Sequence, residues 1–261
     1  MINNTNTVKK STEIVQKYNA PALSRGLKIL EILTKKQTCL TSRQIANELN
    51  INKGQTYRYL YVLSQSGYIE RQGSEMFKIS GKLFSLGIQY IDHHNFINIV
   101  SPIMDDIAKN TCQSCHCTIR VGSKIVVIAV SNSPFQFGFS VKVGYSKELE
   151  LSTSGKVILA YLSDTYRNNL MKNIKQKYDT EFIKNLENDL ETIRKNKYII
   201  ANSTYVEGIL DMSVPIVPKI SNIEPFAISI PFVSSSDNVC TKEDAVTILI
   251  NKAKEISKIL V

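Results

Sequence analysis

In the first third of the chain, apolar residues recur at helical spacing and polar residues mark where each helix begins. Ser24–Leu33 (SRGLKILEIL) carries apolar residues at 27, 29, 30, 32 and 33, one helical face plus its flank, with Ser24 as the expected N-cap. A second helix is expected from Thr41. Thr41 and Gln44 form a T-x-x-Q capping box, and Ile45, Ala46 and Leu49 follow on one face. Ala46 is small where two helices must cross closely. After a turn at Asn50–Asn52, Asn52 and Gln55 repeat the capping device at the head of a third helix. In that helix Thr56, Tyr59, Leu60 and Leu63 share the face expected to pack inward, and Lys53, Gly54, Gln55 and Arg58 are expected to point away from the core.

This is the layout of a helix-turn-helix, whose second helix presents its N-terminal turn to a DNA groove. Lys53, Gln55, Tyr57 and Arg58 are the expected polar contacts, with Ser42 and Arg43 at the head of the preceding helix. Gln can pair with adenine, and Arg with guanine or phosphate. Gly54 permits close backbone approach, although glycine in a helix interior costs roughly 1 kcal/mol against alanine. Tyr68–Arg71 and Met76–Ile79 read as two short strands around Gln72-Gly73-Ser74, a wing that would carry Arg71 and Lys78 near backbone phosphates.

Leu83–Asn110 is helical in pattern, with one helix ending near His93 or His94 and another expected over Ser101–Lys109, Pro102 lying in its first turn. Beyond it, residues 115–121 and 124–130 read as strands around a turn at Val121–Lys124. The run Ile125–Val130 is rich in β-branched residues, as in a strand buried on both faces. Residues 155–162, 181–195 and 242–260 read as helices, and residues 208–217 and 225–233 as strands. Phe135, Phe137 and Phe139 alternate as on a strand and would form an aromatic wall. The fold expected is mixed: a mainly α winged helix-turn-helix followed by an α+β domain. The boundaries are a mobile tail at 1–21, the winged helix-turn-helix at 22–82, a helical linker at 83–110 and a sensor domain at 111–261.

Charge sharpens this division. Residues 1–90 hold 13 Lys or Arg against 5 Glu and no Asp, a net of +8, within a total of +9 for the chain. A basic domain of this size is the electrostatic footprint of phosphate binding. The first 20 residues are polar and lack the apolar core of a signal peptide, and the longest apolar run, Ile125–Val130, is far too short for a bilayer span. A cytoplasmic protein without membrane contact is expected, in which the five cysteines stay reduced.

The segments SRGLKILEIL, LTSRQIANELNINKGQTYRYLYVLSQSGYIE, LSTSGKVILAYL, YVEGILDMSVPIV and EPFAISI, in this order and spacing, resemble the IclR family of bacterial transcription regulators. The resemblance runs from about Ala22 to the C-terminus. It implies a GAF-like fold for the sensor domain, a small-molecule effector of the organic-acid class, and operator DNA as partner. The family commonly has Ser-Thr where this chain has Gly54-Gln55, and His where it has Tyr57, so the operator read is this chain's own. Carried across by motif, the implied effector residues are Phe137, Phe139, Thr153, Ser154, Gly155, Ile209, Asp211 and Ser229. At 153–156 the residues alone fit either a carboxylate site, since a helix N-terminus preceded by hydroxyls suits an anion, or ordinary N-capping by Ser152, Thr153 or Ser154, and it is the resemblance that favours the ligand. Asp211 is a departure from the uncharged Cys of some members. A carboxylate there would repel an anion and favour a neutral or cationic ligand, unless it pairs with Lys142. A homodimer or homotetramer is expected, because two half-sites need two copies.

Two other classes compete with this reading. Cys112, Cys115, His116 and Cys117 could serve a redox- or metal-gated regulator, but adjacent strand residues point to opposite faces. Against that stands simple core packing by small thiols. For a small-molecule enzyme there is no G-x-S-x-G elbow, P-loop or Rossmann fingerprint, and no third group visibly orients a Cys–His pair. No cofactor, metal or catalytic residue is expected.

Overall fold

The computed structural model describes residues 20–36, 38–73, 75–92, 96–135, 138–204, 206–219, 223–234 and 240–260. The chain forms two compact units, Met1–His93 and His94–Val261.

The first unit is built from three helices and a small sheet: α1 (Pro21–Lys36), β1 (Leu40–Thr41), α2 (Ser42–Leu49), α3 (Lys53–Gln65), β2 (Ile69–Gln72) and β3 (Met76–Ile79), followed by α4 (Lys82–Asp92). Thr41 caps α2 through the expected reciprocal box with Gln44. Asn50 ends α2 in the left-handed region, φ 55°, which asparagine tolerates better than most residues. Two residues later the Asn52 side chain accepts from the Gln55 N–H at 2.8 Å and starts α3. The tight turn between α2 and α3 is therefore fixed by local hydrogen bonds. Ile29, Leu33, Leu40, Ile45, Leu60, Ile69 and Phe77 close the core beneath it. The wing is an antiparallel pair with Gln72 opposite Met76, and β1 adds to its β3 edge.

The second unit is a six-stranded sheet in the order β6-β5-β4-β9-β8-β7. Its strands are β4 (Cys115–Val121), β5 (Lys124–Ser131), β6 (Ser146–Glu148), β7 (Ile199–Asn202), β8 (Ile209–Ile216) and β9 (Phe226–Val233). The helices are α5 (Phe96–Thr111), α6 (Thr153–Tyr161), α7 (Asp164–Lys177), α8 (Thr180–Asn196) and α9 (Lys242–Ile259). Alternation divides the sheet's residues between two faces. Met212, Val214 and Ile216 of β8 and Phe226, Ile228, Ile230 and Phe232 of β9 form one core with Val100, Met104 and Ile107 of α5 and Leu249, Ala253 and Ile256 of α9. The intervening residues Ser213, Ala227 and Ser229 are small and fully buried. On that side lies α6, whose Val157, Ile158, Leu159 and Ala160 are all buried, together with Leu186, Leu190 and Ile193 of α8. A helix apolar nearly all round is one covered on both sides.

Several details differ from the pattern-based expectation. α1 begins at Pro21, so Ser24 lies inside the helix and is not its cap; proline is suited to a first helical position. α5 begins at Phe96 and carries Pro102 within it, because apolar packing of Val100 and Ile103 outweighs the missing donor. Residues 138–143 are not a strand, and Phe135 is exposed. α7 and the short strands β1, β6 and β7 were not anticipated. The expected tail through residue 19, His93, His94, Ser74 and Phe137 lie outside the described residues.

Candidate functional site

In the first unit, Lys53, Gly54, Gln55, Tyr57 and Arg58 are all exposed along one side of α3, while Thr56 and Leu60 are fully buried on the other. Tyr59 is tied back by Arg25, whose guanidinium donates to its hydroxyl at 3.2 Å. A Cβ placed on Gly54 would meet only the Asn52 carboxamide oxygen at 3.5 Å, so nothing inside the unit demands glycine there. Arg43 and Arg71 are exposed, and Lys78 is exposed but pairs with Glu70 across the wing at 3.2 Å. Such a surface pair contributes roughly 0–1 kcal/mol and yields readily to a phosphate. Ser42 is a correction: its side chain is buried in the turn between β1 and α2, which removes it from the outer surface. Two residues that the sequence pattern hid are Tyr61 and Val62, both more than half exposed one turn beyond Tyr57 and Arg58. Helical spacing sets them off the inward face, yet neither carries a charge that would mark it as a contact.

In the second unit a cavity of about 420 Å³ opens between the sheet and the N-terminus of α6. Phe139, Thr153, Ser154, Asp211 and Ser229 line it as expected. Gly155 and Ile209 do not. Ile209 is buried outside the cavity, and Gly155 acts from behind. A Cβ at Gly155 would fall 2.1 Å from the Leu149 carbonyl oxygen, so only glycine lets the helix start this close to the preceding 3-10 turn (Leu149–Leu151). Ser152 caps α6 by accepting from the Gly155 N–H at 3.0 Å. The N–H groups of Thr153 and Ser154 keep no partner among the described residues, leaving two donors at the positive end of the helix. The Ser213 hydroxyl donates to Thr153 Oγ1 at 2.9 Å and shares a 2.7 Å bond with Ser229 Oγ, tying the loop to the sheet.

The cavity carries both signs of charge. Lys142 stands at the exposed rim. The Lys156 stem lines the wall while its ammonium pairs with Asp189 at 2.6 Å. Lys147 donates to Thr204 Oγ1 at 2.7 Å. Burial raises the Asp211 pKa above the usual carboxylate value, against a hydrogen bond from Ser203 and the Lys147 charge, which lower it. The lysine acting on Asp211 is therefore Lys147 and not Lys142, because β7 carries Ala201 directly opposite Asp211 and brings the 202–204 corner beside it. His116, opposite Ser229 on β4, also lines the cavity, and burial lowers its pKa to about 4. Its signal was in the sequence, but the neighbouring thiols drew it into a different reading.

Those thiols lie elsewhere. Cys115 and Cys117 are buried on the core face of β4, the opposite side from His116, and burial raises both thiols above their ordinary value. Among the described residues no group of three or more His, Cys, Asp or Glu could hold a metal ion. No helix among them is long and apolar enough to cross a membrane.

A winged helix-turn-helix with a separate α+β unit that holds a cavity lined by both polar and apolar side chains defines a DNA-binding regulator with a ligand-sensing domain. The chain belongs to the IclR family: the IclR helix-turn-helix domain matches residues 22–73 and the bacterial transcriptional regulator IclR C-terminal domain matches residues 88–258. It is a transcriptional regulator of the IclR type, with an N-terminal DNA-binding domain and a C-terminal effector-binding domain, in a family of regulators rather than enzymes. The transcriptional repressor IclR of Escherichia coli (strain K12) is 24% identical over 247 residues, covering 90% of this chain and 88% of that protein. The regulator KdgR of the same organism is 23% identical over 220 residues, covering 82% and 83%. Among solved structures, an IclR homolog from Microbacterium hydrocarbonoxydans complexed with 4-hydroxybenzoate superposes with a TM-score of 0.74 at 16% identity, covering 92% of this chain and 98% of that one. The Thermotoga maritima IclR gives 0.66 at 24%, covering 93% and 99%.

A neutral buried imidazole binds a proton more weakly than the unfolded chain does. His116 should therefore leave stability intact above pH 6.5 and withdraw it progressively as the pH falls toward about 4. His116→Gln should flatten the decline of melting temperature between pH 6.5 and 4; an unchanged slope would show that the imidazole is charged in the folded state.

Proposed function

We propose that α3 reads operator DNA through Lys53, Gln55, Tyr57 and Arg58, with Gly54 admitting the backbone and Arg43, Arg71 and Lys78 meeting phosphates. The observation that supports this is the shared exposure of these side chains on a helix whose opposite face is fully buried. The proposed cellular setting is the cytoplasm, where such DNA lies, and the proposed working form is a homodimer or homotetramer that engages two half-sites.

The proposed effector is a small organic acid with a hydrogen-bonding group at its far end. Its carboxylate is placed at the free N–H groups of Thr153 and Ser154, where donors and helix dipole favour an anion. Phe139 provides an apolar wall, and Asp211 and His116 receive a hydroxyl or ammonium. This arrangement accommodates a carboxylate ligand despite Asp211, because the two charges need not meet. It is the ligand chemistry of the 4-hydroxybenzoate held by the Microbacterium homolog. The cavity at the head of α6 carries the reading. An effector acts on DNA binding only by its differential affinity for two conformations.

Arg58→Ala should weaken operator binding at least several-fold in a gel-shift titration; unchanged affinity would remove Arg58 from the contact surface. Ser154→Trp should abolish the response of DNA binding to hydroxylated organic acids identified by thermal shift. An unaltered response would place the effector outside this cavity.

A further inference from the structure

A second groove lies in the same unit, away from the head of α6, at the C-terminal ends of α6, α8 and β8 along the side of α9. Its volume is about 560 Å³, within the roughly 300–1,000 Å³ typical of small-molecule sites. The floor is apolar, with Val217, Ile250 and the Tyr161 ring contributing. Four lysines stand around it, Lys197, Lys219, Lys254 and Lys258, and no acidic residue among the described residues lines it.

These lysines differ from those nearby. Lys252 is bound by Asp106 at 2.5 Å and by Glu255 at 2.9 Å. Lys219, Lys254 and Lys258 have no ion pair among the described residues, and Lys197 contacts only the Tyr161 ring, its Nζ 5.9 Å from the centroid. Lys197 also holds a left-handed backbone, φ 70°, at the end of α8, a conformation unfavourable for a non-glycine residue. The Tyr161 hydroxyl is closed to solvent and lacks a hydrogen-bond partner among the described residues. Pro215 has no N–H to offer an added strand, so pairing of a partner's backbone along this stretch is disfavoured.

We propose that this groove is a second ligand site, distinct from the effector cavity, for a small anionic amphiphile: a carboxylate with a medium-length apolar body. The acyl body lies on Val217, Ile250 and Tyr161. The head group is held by the lysines. Charge complementarity selects the acid over its neutral alcohol.

Isothermal titration of the full chain with decanoate and decanol tests this. Saturable binding of decanoate is expected, with decanol at least about tenfold weaker, since a hydrogen bond to a charged group is worth roughly 1.5–3 kcal/mol. Lys254→Glu/Lys258→Glu should weaken decanoate at least about tenfold. Ser154→Trp, which fills the other cavity, should leave it unchanged. The proposal is overturned by absent or non-saturable binding, by equal affinity for the alcohol, or by binding that survives the double lysine variant and is lost in Ser154→Trp. A change of oligomeric state in the double variant, with no loss of decanoate, would assign the groove to a second copy of the chain and overturn it too.

Discussion

The sensor unit depends on one close approach, that of Gly155 to the Leu149 carbonyl. No other residue fits at 155, where a Cβ would lie 2.1 Å from that oxygen. The contact sets the height at which α6 begins above the sheet. Ser152 then caps the helix, Thr153 reaches the Ser213 hydroxyl, and Thr153 and Ser154 come to line the cavity. A larger residue would lift the helix and break this sequence of bonds. The binding chemistry of the cavity is thus a consequence of backbone packing as much as of the side chains that line it.

The sheet below accommodates the approach by being unequal on its two sides. Ile and Phe of β8 and β9 fill the core against α5 and α9, as expected for a face that must bury apolar area. The other side carries Ser213, Ala227 and Ser229, which bring α6 close and leave room for hydroxyl bonds. Thr118 contributes a buried hydroxyl that has no partner among the described residues. The same strands therefore serve stability on one face and recognition on the other.

Much of the fold was legible because its signals are local. The Thr41–Gln44 box, the Asn52 cap and the helical spacing of Ile45, Leu60 and Leu63 identify the helix-turn-helix without reference to anything distant. The strands read at 115–121, 124–130, 208–217 and 225–233 lie at Cys115–Val121, Lys124–Ser131, Ile209–Ile216 and Phe226–Val233, the second of them marked by the β-branched run Ile125–Val130. The misses have physical causes. Tyr61 and Val62 lie off the inward face of α3 but carry no charge that marks them as surface contacts. α7 offers few apolar positions, and β6 spans only Ser146–Glu148. The cavity was legible in part: Thr153 and Ser154 stand at the head of a helix, Asp211 is reached only through the family resemblance, and His116, Lys147 and Thr204 meet there only through the folding of the sheet. Ser42 carries a polar side chain in a DNA-binding motif, yet the β1–α2 junction buries it.

The most direct measurement of the central claim is thermal unfolding of Gly155→Ala beside Gly26→Ala. The Gly26 site has nothing within 4 Å of an added Cβ and lies in a helix, so alanine there should hold or raise stability. At Gly155 the overlap should cost about 1–3 kcal/mol or more and lower the melting temperature by several degrees. A Gly155→Ala protein that melts with the wild type would contradict the account, because the helix would then not be held against the Leu149 carbonyl.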